Sequence, residues 1–208
     1  MVFRMAGKGQ QTRERILDAS QRLILQKGFS GTGLDEIVYE AGLTKGGFLY
    51  HFKNRDDLAY ALMERYLEED DRILNDLVAQ ASELVDDPFQ RVLAFLKLYA
   101  DLLGGLDGAH PGCLVASYTY ESQQFDPRVR ELTRRGVQSW KAIFVRLFEH
   151  ALETHESEVP LEDLGDMLNS LLEGSILLSR IDGSNEILRK QVLLFRDYVR
   201  RVFSPRAP

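Results

Sequence analysis

Hydrophobic residues recur at steps of three and four along most of this chain, which is the spacing of one face of an α-helix. The first such run follows Thr12, a candidate N-cap, and stops before Gly28, where a helix would end. Two shorter runs follow it and are separated by Gly42. The three helices predicted here cover residues 12–27, about 34–41 and about 44–52.

The rest of the chain also follows helical spacing. Asp87-Pro88 and Asp126-Pro127 each place a capping residue before a proline at the first helical position. Ser184 is a candidate cap for the last helix. Six more helices are predicted, over residues 55–84, 88–103, 112–124, 127–155, 160–182 and 184–203. No segment alternates with a period of two, so the predicted fold class is all-α with nine helices.

Charge divides this helical chain into two parts. Residues 1–55 carry nine Lys and Arg against five Asp and Glu, a net charge of +4, although the whole chain has a net charge of −6. Residues 56–208 therefore carry −10. A basic end on an acidic protein favours contact with a polyanion at that end, although chance clustering would give the same sums.

Composition narrows the class of protein. The chain has 208 residues, of which 44% are hydrophobic and 28% charged, as in ordinary globular proteins. Its single cysteine excludes an intramolecular disulfide and fits a reducing cytosol. No apolar run approaches the roughly 18 residues of a membrane span. We therefore expect a cytoplasmic protein with no membrane partner.

The second and third helices carry the strongest functional signal. Two short helices across a glycine turn, backed by a third, form a helix-turn-helix, here over about residues 32–51. The second helix of such a pair enters the major groove of DNA by its N-terminal end. That end is the segment 44–47, with the sequence TKGG. Phe48, Leu49 and Phe52 are expected to pack inward.

Residues 12–58, TRERILDASQRLILQKGFSGTGLDEIVYEAGLTKGGFLYHFKNRDDL, resemble the N-terminal domain of the TetR family of bacterial transcriptional regulators. The resemblance is carried by Gly28-Phe29, Thr32-Gly33-Leu34, the turn AGLTKG at 41–46 and FLYHFKNRDDL at 48–58. Val38 departs from the alanine usual in the family. The resemblance implies a nine-helix TetR-like fold with an N-terminal arm (1–9), a DNA-binding domain (10–55) and a ligand-binding and dimerisation domain (56–208).

The resemblance also implies which residues contact DNA. Lys45 is expected to matter most for sequence choice, since lysine and arginine are the usual partners of guanine. For Thr44 a plain capping role is compatible with DNA contact, and for His51 the alternative is an exposed helical residue. The implied DNA-binding residues are Thr32, Thr44, Lys45, Gly46, Gly47, Tyr50, His51 and Lys53.

The resemblance implies that the protein dimerises through its last two helices. Both helices carry a wide apolar stripe, which is consistent with such an interface. The alternative is that both stripes serve only the core of one protomer. An isologous homodimer is the commonest soluble assembly, which favours the interface. The predicted dimer interface consists of Leu164, Leu168, Leu171, Leu172, Ile187, Gln191, Leu194, Phe195 and Tyr198.

A pocket for a small organic effector of unknown identity is implied in the body. Apolar walls with a few polar groups suit such a ligand, although aromatic residues at helical spacing also form ordinary cores. Glu121 would receive a cationic ligand or take part in a surface pair. The predicted pocket residues are Phe95, Tyr99, Leu103, Cys113, Ser117, Tyr118, Glu121, Trp140, Phe144 and Arg180.

Other chemistry is weakly supported. Cys113 lies in the first turn of a predicted helix, where a thiol pKa can be lowered, so it is either a redox or electrophile sensor or a small buried hydrophobe. His110 and Cys113 are too few to bind a metal. No phosphate-binding loop or catalytic triad is recognised, so neither an enzyme nor a cofactor is expected.

The predicted function is a ligand-responsive regulator that binds a double-stranded DNA operator with an inverted repeat. Repressors are the commonest members of the family, but an activator or a regulator without an inducer has the same sequence features. The alternative from another class is an all-α ligand carrier or enzyme with a vestigial DNA-binding head. The intact glycine-bearing recognition helix argues against that alternative.

Overall fold

The computed structural model describes residues 7–206, and over these residues the chain is almost wholly helical. The all-α fold class is confirmed, with one small addition of two three-residue strands. The elements are α1 (Lys8–Lys27), α2 (Leu34–Glu40), α3 (Lys45–His51), α4 (Arg55–Leu84), α5 (Pro88–Gly104), α6 (Leu114–Tyr120), α7 (Pro127–Ala151), β1 (His155–Ser157), α8 (Leu161–Asp182), α9 (Glu186–Val202) and β2 (Phe203–Pro205).

The start of α1 differs from the prediction. Thr12 lies inside α1 and is therefore not the N-cap of that helix. Its hydroxyl donates a hydrogen bond to the carbonyl of Lys8, 3.0 Å away. Of the predicted N-terminal arm, residues 1–6 lie outside the described part of the chain. Lys8 and Gly9 already belong to α1. The helix therefore begins about one turn before the predicted start at residue 12.

The ends of α6 and α7 also differ from the prediction. Helix α6 is only seven residues long, and a 3-10 turn at Ser122–Gln124 follows it. Helix α7 ends at Ala151, and after a turn at residues 152–154 the chain forms β1, which pairs antiparallel with β2. Phe89 stacks on both His155 and Phe203, at 4.2 and 5.3 Å between ring centroids. This aromatic contact favours the strand pair over further helix.

The chain folds as two compact units. Unit 1 contains the described residues up to Leu67 together with Cys113–Arg135, and unit 2 contains Glu68–Gly112 together with the described residues from Gly136. The predicted boundary at residues 55 and 56 is therefore not where the structure divides, because α4 and α7 each contribute to both units. Helix α6 and the start of α4 share unit 1 with α1–α3.

Unit 1 is held by a small apolar core. Apolar positions of α1, α2, α3 and α4 alternate with polar ones at helical spacing, which places one face of each helix inward. Removing apolar surface from water contributes roughly 25 cal/mol per Å². Its fully buried members include Ile16, Leu17, Ile24, Ile37, Phe48, Leu58 and Leu62.

Unit 2 is built around α5 and α9, which run antiparallel. Arg196 donates from Nε to the carbonyl of Leu93 (3.0 Å), and Arg189 pairs with Asp101 (3.4 Å) near the other end of the contact. Gly104 permits this approach, since a Cβ there would lie 2.7 Å from Cδ of Arg189. Across residues 7–206, no helix has both the length and the hydropathy of a membrane span.

Asp70 on α4 is a carboxyl group in unit 2 with an unusual environment. Burial raises its pKa to about 7, and the negative charges of Asp71 and Glu69 add to the effect. Asp71 itself accepts hydrogen bonds from the hydroxyl of Ser139, at 3.1 and 3.2 Å. Below about pH 7 the folded protein therefore favours the protonated form of Asp70.

Replacing Asp70 by asparagine should change how stability depends on pH. The unfolded carboxyl ionises near pH 4, so between about pH 4 and 7 the folded state keeps a proton that the unfolded state has lost, and stability falls as pH rises. Asp70→Asn should be nearly neutral at pH 4 and stabilise the protein by about 1–3 kcal/mol at pH 8. Urea unfolding at several pH values measures this.

The matched control is Asp76→Asn on the same helix, where the carboxylate is exposed and paired with Arg72. Its stability curve should keep the slope of the wild type. Equal slopes for Asp70→Asn and the wild type would contradict the assignment.

Candidate nucleic-acid interface

The α2–α3 turn has the backbone that its sequence predicts. Gly42 has a φ of +65°, a conformation that favours glycine. The amide of Leu43 donates to the carbonyl of Val38 (3.0 Å), which closes the turn. Thr44 caps α3 as predicted, because its hydroxyl accepts a hydrogen bond from the amide of Gly47 at 3.2 Å. The start of α3 is thus fixed by its own sequence.

Aromatic residues anchor α3 to unit 1. Phe48 and Phe52 are buried, with their ring centroids 5.7 Å apart, and the guanidinium of Arg13 lies 5.3 Å from the Phe52 ring. The predicted inward packing of Leu49 is wrong, since that side chain is 48% exposed. Two anchors at positions i and i+4 are sufficient to turn the opposite face of this short helix to solvent.

The opposite face of α3 presents polar and aromatic groups. Tyr50 is 84% exposed, and its ring meets that of His51 edge-on at 5.0 Å between centroids. Lys45 is also exposed and pairs with Asp35 of α2, 2.9 Å away. A Cβ on Gly46 would meet nothing within 4 Å. Thr44 and Lys53 are exposed at the two ends of this surface.

Thr32 does not lie on that surface. Its side chain is buried, and its hydroxyl donates to the carbonyl of Gly28 at 2.8 Å. Thr32 is one of the implied DNA-binding residues, but in this structure its hydroxyl is not available to donate to a phosphate. Its amide is also used, in a 3.2 Å hydrogen bond to the carbonyl of Phe29. Thr32 stabilises the loop between α1 and α2.

Two exposed residues of α2 were missed by sequence reasoning. Tyr39 is 83% exposed, and Asp35 pairs with the lysine that leads α3. Both lie on a helix expected to support α3. The signal was present in the sequence, because Tyr39 falls outside the apolar stripe that Ile37 and Val38 continue.

The predicted pocket residues are divided between the two units. Unit 1 contains Cys113, Ser117, Tyr118 and Glu121, and unit 2 contains Phe95, Tyr99, Leu103, Trp140, Phe144 and Arg180.

Three of the predicted pocket residues in unit 1 form hydrogen bonds within the protein. The sulfur of Cys113 accepts from the amide of Ala116 at 3.4 Å, and this buried thiol caps α6. Tyr118 is buried and donates from its hydroxyl to the carbonyl of Ala59 at 3.2 Å. Glu121 accepts hydrogen bonds from the amides of Phe29 and Ser30, both at 2.7 Å. Neither a cationic ligand nor a surface pair is needed to explain this carboxylate.

In unit 2, the predicted pocket residues belong to the apolar core or pack against it, except for Arg180, which is exposed. Phe95 and Phe144 are buried in it, with ring centroids 6.2 Å apart, and Trp140 packs against it. Two buried donors among the described residues lack a partner, Nε1 of Trp140 and Nδ2 of Asn169. A separate open cleft of about 450 Å³ involves none of the predicted residues. It is lined by Gly104, Leu106, Gly108, Gly183, Ser184, Asn185, Glu186 and Arg189.

The predicted dimer residues fall into two groups. Leu164, Leu168, Leu172 and Phe195 are buried in the core of their own protomer, so their burial needs no partner. Leu171, Ile187, Gln191 and Tyr198 are partly exposed, and Leu194 is exposed. Large exposed hydrophobic residues on the same helices were not in the prediction, namely Met167, Leu177, Leu178 and Ile181.

The geometry of unit 1 is that of a helix-turn-helix DNA-binding protein: two short helices across a glycine turn, a capped second helix and a polar outer face. Within the described residues, no three His, Cys, Asp or Glu side chains are placed to hold a metal ion.

Comparison with known proteins agrees with this class. The model for bacterial regulatory proteins of the tetR family matches residues 16–62, and that for the tetracyclin repressor-like C-terminal domain matches residues 88–193. The Bacillus subtilis regulator YxaF is 29% identical over 84% of this chain and 87% of its own length. The Escherichia coli repressor NemR is 28% identical over 85% and 88%, respectively.

Solved structures show the same fold. The reduced form of Escherichia coli NemR has a TM-score of 0.76 and 22% identity, covering 95% of this chain and 100% of that one. A TetR regulator from Chloroflexus aurantiacus also has a TM-score of 0.76, with 24% identity and coverage of 97% and 100%. The chain belongs to the tetR family of bacterial regulatory proteins, and it is a DNA-binding transcriptional regulator.

The two glycines that open α3 should respond differently to substitution by alanine. Neither has a positive φ, so each change should stabilise the helix by up to about 1 kcal/mol, measured by urea unfolding. A Cβ on Gly47 would make ordinary contacts with Thr44 (3.5 Å) and Leu43 (3.8 Å), whereas one on Gly46 would project into open space. We therefore expect Gly46→Ala to weaken DNA binding and Gly47→Ala to leave it nearly unchanged. An equal loss for both variants would contradict this assignment.

Proposed function

We propose that this protein is a homodimeric repressor that binds an inverted-repeat operator through α3 of each protomer and dissociates when a small organic effector binds in unit 2. The observation that carries the DNA-binding part is the capped α3 with an exposed leading end. The intact glycine turn, the Thr44 cap and the unobstructed Gly46 together favour DNA binding over an all-α carrier or enzyme with a vestigial head.

The DNA contacts are assigned to the exposed face of α3 and its two ends. Lys45 donates to base edges or phosphates in the major groove, and Gly46 allows the backbone to approach the DNA. Tyr50, His51 and Lys53 supply further donors along the same surface. Thr44 and Gly47 hold the first turn in place. Thr32 contributes through the loop that it stabilises.

The dimer contact is assigned to the exposed apolar stripe of α8. Met167, Leu171, Gly174, Leu178 and Ile181 recur at steps of four and three, which places them on one face of the helix. Gly174 is exposed with nothing near its missing side chain, so a partner helix can approach closely there. Leu194 adds an exposed hydrophobic residue from α9. Contiguous exposed apolar patches of this kind are typical of protein interfaces.

The effector site is assigned to the region of unit 2 near Trp140. An unpaired buried donor costs roughly 1–3 kcal/mol, and a ligand acceptor would remove that cost. The aromatic core residues Phe95 and Phe144 lie in the same cluster against which Trp140 packs. An effector with an aromatic body and a hydrogen-bond acceptor suits these groups.

The DNA-binding proposal predicts a sequence-dependent effect of Lys45→Ala. With duplex DNA from beside its own gene, fluorescence anisotropy should show a loss of about ten- to a hundredfold in affinity, since one good base contact contributes about 1–3 kcal/mol. Binding to unrelated DNA should fall much less. The control is Lys97→Ala, an exposed lysine of unit 2 that also pairs with an aspartate.

A salt titration of the wild type completes this experiment. Affinity should fall steeply with salt because phosphate contacts release counterions. No dependence on salt together with no sequence preference would reject the regulator proposal in favour of the carrier or enzyme. An equal loss on all DNA sequences would make Lys45 a phosphate contact instead of a base contact.

The unpaired indole donor predicts an unusually small effect of Trp140→Phe. Shrinking a ring that packs against the core normally destabilises a protein, but here the change also removes an unsatisfied N–H group. We expect the free energy of unfolding to fall by less than about 1 kcal/mol in urea. Phe144→Leu, which shrinks a neighbouring ring without such relief, should cost about 1–2 kcal/mol more. A loss above about 2 kcal/mol for Trp140→Phe would show that the indole N–H is paired.

A further inference from the structure

The connection between α1 and α2 lies between two groups of opposite charge, all within unit 1. On one side, the two carboxylate oxygens of Glu121 accept hydrogen bonds from the amides of Phe29 and Ser30, each at 2.7 Å. On the other side, Nη2 of Arg55 donates to the carbonyl of Phe29 at 2.7 Å and to that of Thr32 at 3.0 Å. Four backbone groups of a short loop are thus bound by two side chains.

The carboxylate approaches the loop backbone as closely as a glycine allows. Gly28 has a φ of +79°, and a Cβ on it would lie 2.6 Å from Oε1 of Glu121. No other residue type fits both the backbone conformation and this approach. Burial by itself would raise the pKa of Glu121, but the hydrogen bonds from Ser30 and Phe29 and the charge of Arg55 lower it below its ordinary value. The carboxylate is therefore ionised at neutral pH.

Aromatic contacts hold the same connection. The Arg55 guanidinium lies 4.5 Å from the centroid of the Phe29 ring. That ring lies 4.5 Å from Phe125 and 5.8 Å from Tyr118, which stack on each other at 4.2 Å. Phe29 is therefore enclosed by residues from α4, from α6 and from the segment after α6.

These contacts join α6 to the DNA-binding helices through the loop that precedes α2. Glu121 is the C-cap residue of α6, and Arg55 is the first residue of α4. Because the hydrogen bonds to Glu121 are short, a displacement of the end of α6 by an ångström or more either breaks them or moves the loop. Helix α2 begins at Leu34, five residues after Phe29, and α3 follows across the Gly42 turn.

We propose that Glu121 and Arg55 are positioning residues, which hold the α1–α2 connection from the end of α6 and the start of α4 and so set the DNA affinity of α3. This inference rests on the proposed binding of DNA by α3. It assigns Glu121 to the support of that binding and not to the effector site.

The test uses the full-length protein and the variant Glu121→Gln. Glutamine keeps the size of the side chain but retains one acceptor oxygen, and its amino group faces one of the two backbone amides. Hydrogen exchange at Phe29 and Ser30 should become about tenfold faster, and affinity for the duplex DNA beside the gene should fall about tenfold. Glu131→Gln, an exposed carboxylate of unit 1 paired with Arg134, should change neither quantity.

A double-mutant cycle with Arg55→Gln separates positioning from general destabilisation. If both residues act by holding one connection, releasing either side has most of the effect, and the double variant should lose about as much DNA affinity as the worse single variant. Independent structural roles would instead multiply the two losses. If Glu121→Gln does not fold by circular dichroism, Glu121→Asp, which withdraws the carboxylate by one methylene group, replaces it.

The outcomes distinguish the inference from the proposed function. Faster exchange at Phe29 and Ser30 with unchanged DNA affinity overturns the positioning role, and so do multiplied losses in the double variant. A wild-type protein without sequence-dependent DNA binding rejects the proposed function and the inference together. Faster exchange, weaker DNA binding and a non-multiplicative double variant support it.

Discussion

Helices α2 and α3 have seven residues each, and this shortness is the constraint on which the rest of unit 1 depends. Isolated helices below about 12 residues are marginal in water, so neither helix holds its shape or direction without outside contacts. The cap at Thr44, the glycine turn at Gly42 and the buried rings of Phe48 and Phe52 supply those contacts for α3. The loop before α2 is held by corresponding contacts from Glu121 and Arg55.

This dependence explains why the structural units do not follow the order of the chain. A domain of the first 55 residues alone would lack Leu58 and Leu62, which complete its core, and Tyr118 and Phe125, which enclose Phe29. The basic head predicted from charge is therefore only part of a larger packed unit. Segments far apart in sequence are needed because three helices, two of them short, bury too little apolar surface by themselves.

The body of the protein shows how the same residue type can serve different roles. Leucines of α8 that are buried in the protomer core, such as Leu164 and Leu168, alternate with exposed ones such as Leu178. The exposed residues are available for contacts outside the protomer, and the buried ones are not. In the same way, Trp140 packs its ring against the core while its nitrogen lacks a partner, so one side chain combines apolar packing with an unsatisfied donor.

The sequence by itself determined the helical fold class, the turn at Gly42, the cap at Thr44 and the family, because these depend on neighbouring residues. Helical spacing, a glycine at positive φ and a hydroxyl three residues before an amide all operate over a few positions. The inward placement of Leu49 was wrong for a related reason: a seven-residue helix has too few turns for periodicity to define its buried face.

Only the tertiary structure decided the contacts between distant segments. Glu121 and Phe29 are 92 positions apart, and no local pattern indicates that one binds the amide of the other. The burial of Thr32, the division of the leucines of α8 and the isolation of the Trp140 nitrogen are decided in the same way. Each depends on which side chains from other helices fill the neighbouring space, and packing of that kind is a property of the whole fold.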